Sequence, residues 1–172
     1  RHANGHNLDA DMTLNWLRDQ MNTPQIDKIM HNATYDAGWL RAEGIEVKGK
    51  IIDTMVAAPL VDENRFSYSL NNLGRDYIDM RKDEKMLRAA AKDFGIDPKS
   101  EMWRLPPKFV GPYAEQDALM TLKLWERLSI EISREELKEV FELESKLIPI
   151  MLDMRERGVR VDLDKAEQAK KT

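Results

Sequence analysis

Hydrophobic spacing divides the chain into two regions. The polar opening RHANGHNLD is followed by a helical pattern with Leu14, Leu17 and Met21 on one face, Asp9 and Asp11 near its start and Pro24 beyond its end. The short apolar run Ile26 to Met30 fits a brief strand. Helical spacing returns at Tyr35, Trp39 and Leu40 and is stopped by Gly44. Val47 to Ile52 predicts a second short strand with KGK at its centre, and Asp53-Thr54 suits the cap of a helix running into MVAAPLVD. Strand, helix, strand, helix indicates an α/β fold.

From Ser67 the pattern is almost wholly helical: SYSLNNLGRDY, then DEKMLRAAAKDFG, which Gly95 and Pro98 terminate. The three prolines of Trp103 to Pro112 predict a loop. A long amphipathic helix is expected from Tyr113 to about Ile132, and a second from about Arg134 to Arg157, kinked at Pro149 and ended by Gly158. VRVD then reads as a strand, and DLDKAEQAKKT as the start of another helix. There is no internal repeat and no low-complexity tract. Two short strands cannot form an independently stable sheet beneath so many helices. Either an undetected strand lies in the first residues, or the chain is a piece of a longer protein.

The 172 residues suit one domain with the start of a second. The 27 basic and 31 acidic residues leave a net charge of −4, so nucleic-acid binding would need a local basic cluster or bridging metal ions rather than overall charge. The 42% hydrophobic and 34% charged residues, with a mean hydropathy of −0.60, describe a globular chain. With no cysteine, disulfides, thiolate metal sites and thiol nucleophiles are excluded. No run approaches the length needed to cross a bilayer, and the opening is too polar for a signal peptide, so no membrane association is expected.

Two constellations could carry chemistry. In NATYD, Asn32, Tyr35 and Asp36 stand at a strand-to-helix junction, where a carboxylate can face the open edge of a sheet and bind a metal. The alternative is an exposed acid stabilised by the helix dipole. In YAEQD, Tyr113 and Asp117 are four apart on a helix and share a face, so a phenol and a carboxylate could together orient a metal-bound water. The alternative there is a packed tyrosine beside a solvated first-turn acid, with Glu115 facing solvent. His31 suits a polar contact to substrate better than a general base. His2 and His6 have helical metal-ligand spacing, but Ala-Asn-Gly between them is a turn. Arg75, Arg81, Lys82, Lys85, Arg88 and Lys92 form a basic run near Tyr77 that could track a phosphate backbone or simply be a solvated face. Asn32-Ala33-Thr34 matches a glycosylation acceptor, which nothing else supports. The eight glycines are scattered, with no phosphate-binding loop and no nucleophile elbow.

Taken together, these segments resemble a known family in order and spacing. IMHNATYDAGWL resembles the second exonuclease motif of the 3′-5′ proofreading domain of family A DNA polymerases, and YAEQDALMTLKLW the third, in its tyrosine form. Between them IIDTMVAAPLVDENRFSYSLNNLG resembles the family's aspartate-threonine-methionine helix and Ser-Leu segment. ELESKLIPIMLDMRERGVRVD resembles the junction into the polymerase domain, which separates this reading from a ribonuclease D-like RNA exonuclease.

The resemblance implies a ribonuclease H-like α/β fold, with an exonuclease domain over residues 1–133 and a junction helix and start of the polymerase domain over residues 134–172. It implies two divalent ions, Mg²⁺ or Mn²⁺, with Asp36 and Asp117 as ligands across one cleft and Tyr113 orienting the nucleophilic water. Asn32, His31 and Tyr35 would contact the 3′ end of single-stranded DNA, and primer-template DNA would engage the polymerase domain beyond Thr172. The setting implied is the cytoplasm of a bacterial or phage-infected cell. The family's first motif, an aspartate and a glutamate on the first strand, has no counterpart here, since Asp9 and Asp11 stand at a helix start. The chain is therefore expected to begin after that motif and to be inactive alone. The other readings are an exonuclease fold kept as an inactive scaffold or single-stranded DNA-binding module, and the RNA exonuclease.

Overall fold

The computed structural model describes residues 7–170. Helix α1 (Ala10–Met21) is capped by Asp9, whose side chain accepts from the Met12 N–H at 2.8 Å. Strand β1 (Lys28–Met30), helix α2 (Ala33–Ala42) and strand β2 (Ile51–Asp53) follow. The two strands pair in parallel with Lys28 opposite Ile51 and Met30 opposite Asp53, and α2 is the crossover that a parallel pair requires. The expected second strand is cut short at its start. Gly49 has φ +87° and Lys48 donates its N–H to the Met21 carbonyl, so the KGK segment turns instead of extending.

Helices α3 (Thr54–Val61), α4 (Leu70–Ile78) and α5 (Lys85–Phe94) come next, then the long α6 (Pro107–Arg134), α7 (Lys138–Arg157) and α8 (Leu163–Lys170). The expected loop up to Pro112 is half wrong. After a short 3₁₀ turn at Met102–Arg104, α6 already starts with Pro107 in its first turn, where a missing N–H costs nothing, and it runs through Pro112. Glu136, in the left-handed region at φ +59°, breaks the chain between α6 and α7, so α7 begins at Lys138 rather than Arg134. The VRVD segment is irregular; among the described residues the sheet consists of β1 and β2 alone, and no partner strand reaches it.

Three apolar clusters hold these parts. The largest joins Ile52 of β2 and Ala57 and Ala58 of α3 to Leu70 and Leu73 of α4, then to Met120, Leu124 and Leu128 of α6 and Phe141 of α7. A second packs Ala33 and Ala37 of α2 and Ile51 of β2 against Ile148 and Leu152 of α7. The third seats α5 on the start of α6 through Leu87, Ala90, Ala91 and Leu105, with the Tyr113 ring packed against it. Burying these side chains supplies the main drive for folding, and it orients α2 and α6 toward the end of the sheet where the candidate residues lie.

Candidate functional site

The C-terminal ends of β1 and β2 lie side by side, and Asp53, the last residue of β2, ties them together. Its carboxylate is 3% exposed and accepts three backbone N–H groups: Asn32 at 2.9 Å, Ala33 at 2.7 Å and Met55 at 2.8 Å. One side chain thus caps both α2 and α3, each with an orphan set of N-terminal donors. The cap of α3 was legible in sequence; the cap of α2 was not, because Asp53 lies 21 residues from Asn32.

That bond helps hold Asn32 in the left-handed region at φ +67°, a conformation that asparagine tolerates better than most residues. Beside it, His31 Nδ1 lies 2.9 Å from Thr54 Oγ1, and the Thr54 hydroxyl donates to the Met30 carbonyl at 3.1 Å. The single hydroxyl proton is committed there, so His31 Nδ1 is the donor and Nε2 is left as an acceptor. Burial lowers the His31 pKa; the Asp53 carboxylate opposes this, Lys82 adds to it and Asp117 opposes it. His31 therefore sits within electrostatic reach of both constellations. Asp36 is exposed in the first turn of α2, as the helix-dipole alternative expects, and its pKa is raised by partial desolvation and by the Asp53 carboxylate. Tyr35 and Trp39, one turn apart and more than half exposed, meet edge to face at 6.4 Å.

Tyr113 and Asp117 share one face of α6, as their spacing predicts. The solvated first-turn alternative for Asp117 fails, because α6 begins at Pro107 and the carboxylate is occupied. Lys82 Nζ donates to Asp117 Oδ2 at 2.6 Å and to the Tyr113 hydroxyl at 3.2 Å. The packed-tyrosine alternative holds alongside the functional one: the ring lies against the α5 cluster while the hydroxyl meets Lys82. Asp117 Oδ1 is buried without a hydrogen-bond partner. Glu115 is exposed, as expected. Lys82 was legible only as one member of a basic run, and its pairing 35 residues away with Asp117 needed the fold. His2 and His6 lie outside the described residues.

A hard cation fits this donor set. An unpartnered buried carboxylate oxygen is what such an ion would satisfy, and Mg²⁺ commonly uses one or two carboxylates with water and phosphate oxygens completing its shell. Among the described residues no three His, Asp or Glu side chains gather into a ready cage.

Residues 2–133 match the family model described as 3′-5′ exonuclease. The chain is similar to a DNA-directed DNA polymerase of Pseudomonas phage M6, 42% identical over 97% of this chain and 26% of that protein. It is also similar to DNA polymerase DpoZ of Acinetobacter phage SH-Ab 15497, at 34% identity over 89% of this chain and 25% of that one, and to DNA polymerase I of Synechocystis, at 28% over 95% and 16%. This chain belongs to the 3′-5′ exonuclease family. It spans about a quarter of the length of the phage relatives. The family implies a ribonuclease H-like α/β fold, with which the helix-flanked parallel pair accords. No helix among the described residues is long and apolar enough to cross a membrane.

Proposed function

We propose that the chain is the proofreading 3′-5′ exonuclease portion of a family A DNA polymerase, which hydrolyses the 3′-terminal phosphodiester of single-stranded DNA, with residues 134–172 leading into the polymerase domain. The observation that carries this reading is the Tyr113–Asp117 pair on α6, with a buried, unpartnered carboxylate oxygen, within electrostatic reach of His31 at the β1–α2 junction. Asp117 and Asp36 would hold divalent ions, Mg²⁺ or Mn²⁺, and the rest of the polymerase would supply the remaining carboxylates. When bound, such ions help generate hydroxide and stabilise the leaving 3′ oxygen.

The chain's own residues do the placing. Tyr113 accepts a hydrogen bond from Lys82, so its own hydroxyl proton is free to be donated to the attacking water or to a phosphate oxygen. His31, pinned through Nδ1, offers Nε2 as an acceptor to the terminal sugar or base. Asn32, held by Asp53, and the exposed Tyr35 ring would contact the terminal nucleotide.

The inactive-scaffold reading draws support from the ammonium of Lys82 already seated on Asp117 Oδ2. One assay separates the readings: the polymerase that carries this chain, with 3′-labelled single-stranded DNA and RNA in parallel, with Mg²⁺ and with excess chelator. Loss of the DNA label that stops with chelator is expected. Cleavage that survives chelation overturns the mechanism, intact DNA favours the scaffold, and preferential trimming of RNA favours the ribonuclease D-like reading.

A further inference from the structure

The loop joining α4 to α5 is built around Lys82. The Lys82 N–H donates to Asn71 Oδ1 at 3.0 Å, and the side chain of Gln116 brackets the residue on both sides: its Nε2 donates to the Arg81 carbonyl at 3.0 Å, and its Oε1 accepts the Asp83 N–H at 2.8 Å. Gln116 lies between Tyr113 and Asp117 on α6, so the helix that carries the pair also grips the loop that delivers the lysine. The Lys82 side chain is 16% exposed and its ammonium lies 5.1 Å from the centre of the Tyr113 ring. A loop lysine with no task would extend into water, since ordering its long side chain costs entropy and an exposed ion pair returns little.

We propose that Lys82 is a positioning residue of the exonuclease site, held there by Gln116, and that its ammonium fixes Asp117 and Tyr113 while opposing cation binding at the same carboxylate. The inference rests on the proposed function. Lysine has three donors and no acceptor. One goes to Asp117 Oδ2 and one to Tyr113 Oη, which leaves Asp117 Oδ1 to face an ion and the phenol proton to face the reacting water. A fixed positive charge beside the carboxylate also repels an incoming dication, so the lysine trades affinity for alignment.

Removing the ammonium should therefore move two readouts in opposite directions, which loss of a merely structural contact would not do. In the polymerase carrying this chain, Lys82→Met should lower kcat on single-stranded DNA roughly tenfold with KM little changed, and should tighten Mn²⁺ binding, read by electron paramagnetic resonance of the free ion, by roughly tenfold. Lys82→Arg keeps the charge, and should hold Mn²⁺ affinity near the original and recover part of kcat. Gln116→Ala frees the loop without removing charge and should lower kcat, a second measure should Lys82→Met prove unstable on thermal unfolding. Mn²⁺ binding that Lys82→Met leaves unchanged or weakens, or that neither protein shows, overturns the inference. So does a kcat that both Lys82→Met and Gln116→Ala leave within twofold. An unaltered polymerase that leaves DNA intact instead sinks the proposed function, and the Mn²⁺ comparison still decides the role of Lys82.

Discussion

Asp53 and Asp117 show how differently two aspartates can be used within one fold. Asp53 has both carboxylate oxygens turned inward onto three backbone N–H groups, whereas Asp117 leaves one buried oxygen unspent. Replacing Asp53 with Asn would put an NH₂ group in the place of one accepting oxygen and strand at least one of these N–H donors. Asp53→Asn should destabilise the protein by about 2 kcal/mol in urea unfolding and should also reduce exonuclease activity, because the α2 start that holds His31, Asn32 and Asp36 loses its anchor. On the proposed chemistry, in the polymerase that carries this chain Asp117→Ala should cut kcat roughly a thousandfold or more and Tyr113→Phe roughly ten- to a hundredfold, since one removes a ligand and the other only a hydroxyl. Single-turnover degradation of labelled single-stranded DNA checks both, and equal small effects would count against the site.

At the scale of elements, the crossing of α4 on α6 sets where Asp117 stands. Gly74 makes that approach possible: a Cβ there would meet Met120 Cε at 2.4 Å and the Met80 carbonyl oxygen at 3.0 Å. The methionine can yield, but the Met80 carbonyl belongs to the turn that leads to Lys82 and cannot move without shifting it. Gly74→Ala is expected to cost about 1–3 kcal/mol by thermal or urea unfolding despite its gain in helix propensity. The same helix carries a surface ion cluster. Asp76 is bonded by Arg75 at 2.5 Å and also by Arg65, and the Arg75 hydrogen bond chiefly brings its carboxyl down to about 2. With the folded pKa below the unfolded one, this group stabilises the fold above about pH 4, and the contribution is lost as pH falls toward 2. Asp76→Asn should therefore flatten the acid side of the stability profile between those values; an unchanged slope would show that the pair contributes nothing.

For the whole molecule, α7 decides whether the parts cohere. Ile148 and Leu152 close the cluster over α2 and β2, Arg41 pairs with Asp153 at 2.6 Å, and Arg155 donates to the Thr34 carbonyl at 3.3 Å, in the same helical turn as Asp36. The first 133 residues thus lean on a helix beyond them. Ile148 is wholly buried, and Ile148→Ala should cost about 2–5 kcal/mol through lost contacts and a cavity in a single cooperative transition. Loss below about 1 kcal/mol, or a separate transition for α7, would show instead that it only rests on the surface.

Local pattern was enough for what local physics controls. The amphipathic spacing of α6, the left-handed glycine that ends α5, the acidic residues at the start of α1 and the shared face of Tyr113 and Asp117 all depend on residues a few positions apart, and all were legible in the chain, although of the leucines that the spacing groups on one side of α6, Leu124 and Leu128 are buried while Leu119 and Leu122 are nearly half exposed. The motif order of NATYD and YAEQD likewise sufficed to indicate the family. What the tertiary structure alone decided depends on pairs far apart in sequence: Asp53 capping α2, Lys82 seated on Asp117, Gln116 gripping the loop, and Pro112 carried inside a helix that packing sustains. Helical spacing and capping act over one or two turns, but the partner of a buried charge is chosen by which surfaces the apolar clusters bring together, and no periodicity in the chain encodes that choice.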